Sequence, residues 1–274
     1  MPPRARPLVI AHRGANEVIA EHTVGAYRAA VAARADALEC DVRLTADREL
    51  VCLHDRTAAR TSNGRAVIST QTLAELEALD WGGWKYGPGT DAGIAADPDN
   101  RRLITLRQLI ELAVEATRSA ATGQETGLAV ETKHPSRYGG QLEHAVAAMA
   151  GRFDLAAERG HGVPWLRVMS SSWLAVRRWT SLRPDIPSVF LTETKIPTPA
   201  RYGALPGGAS AAGIDIEIVR RVPDMVVRQR AHGHDVYVWT VDEPADVTLC
   251  LELAVAGIIT NRPQAVMDQI AHAG

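Results

Sequence analysis

Two periods alternate along this chain. Short runs rich in Val, Ile, Leu and Ala are separated by longer stretches in which apolar residues recur every three or four positions. The short runs read as strands and the longer ones as amphipathic helices, so their alternation predicts βα units around a parallel sheet. Strands are predicted at Leu8 to Ala11, Ala37 to Arg43, Leu50 to Leu53, Leu128 to Thr132, Leu166 to Ser170, Ser188 to Leu191, Gly213 to Ile216, Val236 to Thr240 and Gly257 to Thr260. This is one more than an eight-stranded α/β barrel uses. Helices are predicted over Thr23 to Arg34, Thr105 to Thr117, Gly139 to Ala150, Ser172 to Leu182, Pro223 to His232, Ala245 to Ala254 and Pro263 to Ala273. Thr23, Thr105 and Ser172 supply side-chain oxygens suited to capping three of them.

The rhythm breaks between Arg56 and Arg102. This segment is rich in Gly, Asp, Thr and Trp, with one helical stretch at Leu73 to Leu79, and reads as an insertion lying over one end of the sheet. No fixed-period repeat occurs, which excludes a solenoid. The length of 274 residues fits one barrel of ~250 residues as well as two smaller domains. The chain is read here as a single domain, 1–274.

Composition narrows the function classes. Thirty basic residues balance 32 acidic ones, for a net charge of -2, and no basic cluster offers a footprint for nucleic acid. No apolar run approaches the ~18 residues of a membrane span. The run after the basic Met1 to Pro7 segment is too short for a signal-peptide core. Cys40, Cys52 and Cys250 show no C-x-x-C spacing, so neither a disulfide framework nor a zinc knuckle is suggested, and a reducing cytoplasm is the expected location. Oligomeric state is left open.

Candidate chemistry gathers at the ends of predicted strands. His12, Arg13 and Gly14 follow the first run, where α/β barrels place their working groups. Glu39 and Asp41 flank Cys40, and the strand period of two puts both carboxylates on one face. Such a pair needs a cation or a shared proton, unless it lies on the wet face of an edge strand. Glu131 and Lys133 share a face in the same way, as site residues or as a surface ion pair. His54 and Asp55 close the third run. In a barrel these groups would converge on one mouth. Three carboxylates suit a hard cation, Mg²⁺ or Ca²⁺, better than Zn²⁺. Two histidines can act as general acid and base, and Arg13 with Lys133 can neutralise a phosphate. Together the parts describe metal-assisted attack on a phosphodiester.

The order His12-Arg13-Gly14, Glu21 before Thr23, Glu39-Cys40-Asp41, His54-Asp55, Glu131-Thr132-Lys133, then Trp239-Thr240 and Asn261-Arg262-Pro263 resembles the glycerophosphodiester phosphodiesterase family. The resemblance runs from Val9 to Pro263. It implies a TIM (β/α)8 barrel with a segment inserted after an early strand, matching Arg56 to Arg102. It also implies a divalent metal on Glu39, Asp41 and Glu131, His12 and His54 as the acid and base pair, and Arg13 with Lys133 near the phosphate. Glu21 would be a polar group near the mouth. The expected reaction cleaves glycerophosphodiesters, small molecules such as glycerophosphocholine, to sn-glycerol 3-phosphate and an alcohol. One departure is visible: the family pattern Pro-Glu-Asn-Thr is replaced by Ala20-Glu21-His22-Thr23, which leaves the role of His22 open.

Other residues carry plainer readings. His232-Gly233-His234 lies between a helix and a strand and reads as a connecting loop rather than a zinc site; His144 and His161 read as solvated, and His134 receives no role. Trp239 either packs in the core or stacks on substrate, including a choline headgroup through cation-π attraction. Trp81, Trp84 and Tyr86 read as a small satellite core in the insertion. Two rivals stand beside the main reading. One is a lysophospholipase D or sphingomyelinase D-like enzyme, which would need an apolar groove; the other is a barrel that binds phosphodiesters without turnover.

Overall fold

The computed structural model describes residues 6–119, 125–156, 158–159, 163–193 and 198–273. One sheet contains β1 (Leu8–Ala11), β2 (Ala37–Leu44), β3 (Leu50–Cys52), β4 (Gly127–Thr132), β5 (Leu166–Ser170), β6 (Ser188–Thr192), β7 (Ala211–Asp215), β8 (Asp235–Trp239) and β9 (Gly257–Thr260). Their order is β1-β9-β8-β7-β6-β5-β4-β2-β3, and β1 also pairs with β2. That last pairing closes eight parallel strands into a TIM barrel with helices between them.

The ninth predicted strand is thereby explained. β3 is antiparallel to β2, with Val42 opposite Cys52 and Arg43 opposite Val51, and has no place in the barrel wall. β2 is the longest strand and overshoots the barrel rim; β3 folds back along this overhang, and its end returns to the mouth. The backbone N–H of Leu53 donates to the Asp41 carbonyl at 2.8 Å, so the next residue, His54, is delivered beside the carboxylates.

Buried parallel strands carry apolar residues on both faces. Inward-facing Ile10, Ala37, Ala129, Met169, Val189, Leu191, Tyr237 and Ile259 fill the barrel. Outward-facing residues such as Leu38, Cys40, Val42, Leu128 and Val130 pack against the helices. Small residues let the large ones interdigitate: a Cβ on Gly257 would lie 2.6 Å from the Tyr237 ring.

Helix starts follow their caps. Thr23 caps Val24–Ala32, accepting from Ala26 N, and Ser172 caps Trp173–Leu182, accepting from Ala175 N. Thr105 precedes Leu106–Ser119, and its backbone N–H and Oγ1 both reach the Gln108 side chain. One boundary differs from the sequence expectation. Ile216, placed in a strand by its β-branched neighbours, instead opens the helix Ile216–Arg221, because Asp215 turns its carboxylate back to accept from Glu217 N at 2.7 Å. A local cap here outweighs β propensity.

The insertion is organised by its own small core, in which Val51, Leu53, Ala58, Ile68, Leu76, Trp81 and Leu103 are buried together. Trp81 donates its indole N–H to the Leu76 carbonyl at 2.7 Å. Trp84 is 40% exposed and stays outside that core, whereas Tyr86 bridges Ala20 N and the Asn100 carbonyl. Val51 and Leu53 belong to this core, so the insertion is what packs behind β3. Among the described residues no helix is long and apolar enough to cross a membrane.

Candidate active site

Strand register brings the acidic groups together. Asp41 on β2 is the register partner of Glu131 on β4, and Glu39 shares the Asp41 face one pleat below. One carboxylate oxygen from each of Glu39, Asp41 and Glu131 lies within 4.8 Å of the others, and all three residues are buried. Three buried carboxylates repel one another unless cations intervene. Burial and the neighbouring Asp41 push the Glu39 carboxyl well above its usual range. The same two causes raise Glu131 to about 8, although Lys133 opposes them. Burial also works against ionised Asp41, but Arg13, Lys133 and His22 prevail and hold its carboxyl well below the usual range. A buried all-oxygen donor set with strained protonation is what a hard divalent cation relieves, so these residues fit such an ion.

The cations come from the two strand ends expected. Arg13 occupies a left-handed turn (φ 54°) continued by Gly14 (φ 92°), where a Cβ would come within 2.7 Å of Ala26 in the first helix. That turn aims the Arg13 backbone N–H at Glu39 Oε2, 2.9 Å away. Its guanidinium donates to Glu21 Oε1 at 2.9 Å, and its Nε sits 3.0 Å from Asp41 Oδ2 as an off-axis ion pair rather than an aligned hydrogen bond. Lys133 Nζ lies 2.9 Å from Glu131 Oε1 and 3.5 Å from Asp41 Oδ1.

The two histidines are held differently. His12 Nδ1 lies 2.8 Å from Asn261 Oδ1. The Asn261 amide is oriented by donating its Nδ2–H to Asp242 Oδ2 at 2.6 Å, so its oxygen must accept and His12 must carry its proton on Nδ1. Nε2 of His12 then bears the lone pair. Burial, reinforced by Arg13, lowers the His12 pKa to about 3, which keeps the ring neutral. His54 instead points Nδ1 at Asp55 Oδ1, 2.7 Å away, a carboxylate that Arg60 also holds. Burial lowers the His54 pKa as well, while Asp41 and Asp55 act to raise it. Arg43, on the Glu39 and Asp41 face of β2, donates Nε and Nη2 to the His54 carbonyl at 2.9 and 2.6 Å and fixes its backbone.

His22 is an unanticipated member of the site. Tyr27 Oη donates to the Glu39 carbonyl at 3.0 Å, so it accepts from His22 Nδ1, 2.9 Å away. His22 Nε2 meets Asp41 Oδ2 at 2.9 Å. The remaining candidates lie as follows. Glu21 bridges Arg13 and Arg60 through both oxygens. Trp239 is half-buried against the barrel filling, with its indole N–H buried and unpaired. His134 is tied to fully buried Glu143 at 2.5 Å, which also takes Arg178. His232 and His234 flank the turn before β8, at the barrel end opposite the mouth, and His144 is exposed. His161 lies outside the described residues. Asp55 stood in the His54-Asp55 motif without a stated role, whereas Arg43, Arg60, Tyr27 and Asp242 carried no motif of their own that marked them as supports; their partners come from elsewhere in the fold.

Neutral imidazole, guarded imidazole, paired cations and clustered carboxylates at one barrel mouth define a class, the TIM-barrel phosphoric diester hydrolases. Comparison with known proteins narrows it: residues 12–265 match the glycerophosphoryl diester phosphodiesterase family, and the chain belongs to that family. A Mycobacterium tuberculosis protein named "Probable glycerophosphodiester phosphodiesterase 1" is 39% identical over 263 residues, covering 94% of this chain and 90% of that one. A Bacillus subtilis glycerophosphodiester phosphodiesterase is 28% identical over 261 residues, covering 94% of this chain and 84% of its own. In fold, the chain is similar to an Oleispira antarctica phosphodiesterase solved with the product sn-glycerol-3-phosphate, with a TM-score of 0.76, 24% identity and 97% of each chain covered.

Proposed function

We propose that this enzyme hydrolyses glycerophosphodiesters, glycerophosphocholine among them, to sn-glycerol 3-phosphate and an alcohol, with the whole chain acting as one catalytic unit. The observation that carries this reading is the convergence of Glu39, Asp41 and Glu131 within one ion's reach beside two differently partnered histidines. The product bound in the Oleispira relative supports the same substrate class. Mg²⁺ or Ca²⁺ held by these carboxylates would supply Lewis-acid stabilisation of charge on the phosphate. Arg13 and Lys133 bind the phosphate oxygens from the sides and add fixed positive charge where the transition state gathers negative charge. Glu21 holds Arg13 at its post, and Trp239 offers a ring at the mouth for the alcohol.

His12 serves as the base in this reading. Its Nδ1 proton is fixed on the Asn261 oxygen, which leaves the Nε2 lone pair to take a proton from the attacking oxygen, whether water or the neighbouring glycerol hydroxyl. His54, backed by Asp55, serves as the acid and gives its proton to the leaving alkoxide. The leaving group tests this division. His54→Ala should lose about 10²- to 10⁴-fold in kcat on glycerophosphocholine, and much less on a p-nitrophenyl diester, whose leaving phenolate needs no proton. His12→Ala should lose as much on both. Equal losses of the two variants on both substrates would overturn the assignment. Buried unpaired cysteines suit a reducing compartment, and the reading extends to action in the cytoplasm.

A further inference from the structure

Beside Lys133 the mouth continues into a small cleft, partly open to solvent, between the end of β2, the chain at 67–69 and the loop after β4. Its polar lining is cationic. Arg43, Arg56, Lys133 and Arg137 line it together with Ser69 and Ser136, and no acidic residue does. Arg56 is exposed, and its guanidinium has no hydrogen-bond or ion-pair partner among the described residues. Arg137 is exposed as well, with Nη1 on the Ser69 carbonyl at 3.3 Å and its guanidinium 5.8 Å from the centroid of the Tyr138 ring, and it has no ion-pair partner among the described residues. Of the nearest acids, Asp55 is held by His54 and Arg60, and Glu131 and Asp41 pair with Lys133, so none of them answers Arg56 or Arg137. Two exposed guanidinium groups without a carboxylate partner at the rim of a concave surface, beside a third cation at the mouth, mark the place of an anion, and guanidinium forks suit phosphate above all.

We infer that this cleft is a second anion subsite, and that it selects diesters whose alcohol half carries a further phosphate group. The inference rests on the phosphodiesterase reading and deepens it. The glycerol half of such a substrate carries only hydroxyls, so a charge matching this cleft must lie on the alcohol half. The half that passes His54 and Lys133 enters the cleft, because Arg43 both fixes the His54 backbone and lines the cleft. A choline headgroup, itself a cation, gains nothing there.

Glycerophosphoinositol and glycerophosphoinositol 4-phosphate differ by that one phosphate and form the test pair. The metal-loaded protein should hydrolyse the phosphorylated diester with kcat/KM about tenfold higher or more, an advantage that shrinks with added KCl. The double variant Arg56→Gln with Arg137→Gln should lose the advantage while keeping its rate on glycerophosphoinositol. Equal rates on the pair, or equal loss on both in the double variant, would overturn the inference. Hydrolysis of neither diester would contradict the phosphodiesterase reading instead. Calorimetric titration with the same pair then decides the subsite alone: tighter binding of the phosphorylated diester, abolished in the double variant, supports it, and equal binding overturns it.

Discussion

His22 shows how one departure from a family pattern can be accommodated and used. Its backbone is left-handed (φ 59°), a conformation in which Asn and His are both tolerated better than most side chains. Replacing the family's Asn by His therefore leaves the turn intact, and the longer ring reaches from Tyr27 to Asp41. By holding one Asp41 oxygen, His22 orients a carboxylate that would bind the cation. Partners of this kind typically change metal affinity by about 10- to 100-fold. His22→Phe should weaken Mg²⁺ or Ca²⁺ binding by that range in a calorimetric titration, with kcat at saturating metal changed far less; an unchanged affinity would refute the positioning role. Period-two spacing made the carboxylates legible in the sequence, and strand ends made His12 and Lys133 legible. Supporting partners were not. Asn261 stands 249 residues from His12 and reaches it only because β9 pairs with β1.

At the scale of elements, the βα rhythm already implied the barrel, but local pattern could not say which strand was surplus. Leu50–Cys52 is as buried as any barrel strand, and only its antiparallel pairing sets it apart. Nor could composition say that the insertion has a mechanical task. Its core packs behind β3, which carries His54 to the mouth. Trp81→Ala, which empties the largest side chain of that core, should cost about 3 to 5 kcal/mol in urea denaturation. It should also lower kcat in the material that remains folded, because His54 loses its backing. Full activity per folded molecule would show that β3 holds its place without the insertion.

For the whole molecule, the carboxylate cluster links stability, protons and metal. In metal-free protein, the Glu131 carboxyl is raised from 4.5 to about 8, so between those pH values the native state holds a proton there that the unfolded chain has lost, and the upward shift of Glu39 acts in the same direction. Stability from these groups is therefore present at low pH and is lost as pH climbs from about 4.5 toward 8. Thermal unfolding in EDTA should show a midpoint that falls across this window, and added Mg²⁺ or Ca²⁺ should reverse the fall. Binding of the cation near pH 7 should release protons, visible as a dependence of the calorimetric heat on buffer ionisation enthalpy. A metal-free midpoint that does not fall, with no proton release, would mean that the three carboxylates do not share a site.

Release of sn-glycerol 3-phosphate from glycerophosphocholine, with Mg²⁺ or Ca²⁺ and then with EDTA, on the parent protein and on Glu39→Ala, tests the central claim most directly. Metal-dependent release that EDTA abolishes, and that the folded variant lacks, is the result expected. No release with either ion from folded parent protein, or full release from Glu39→Ala in EDTA, would contradict it.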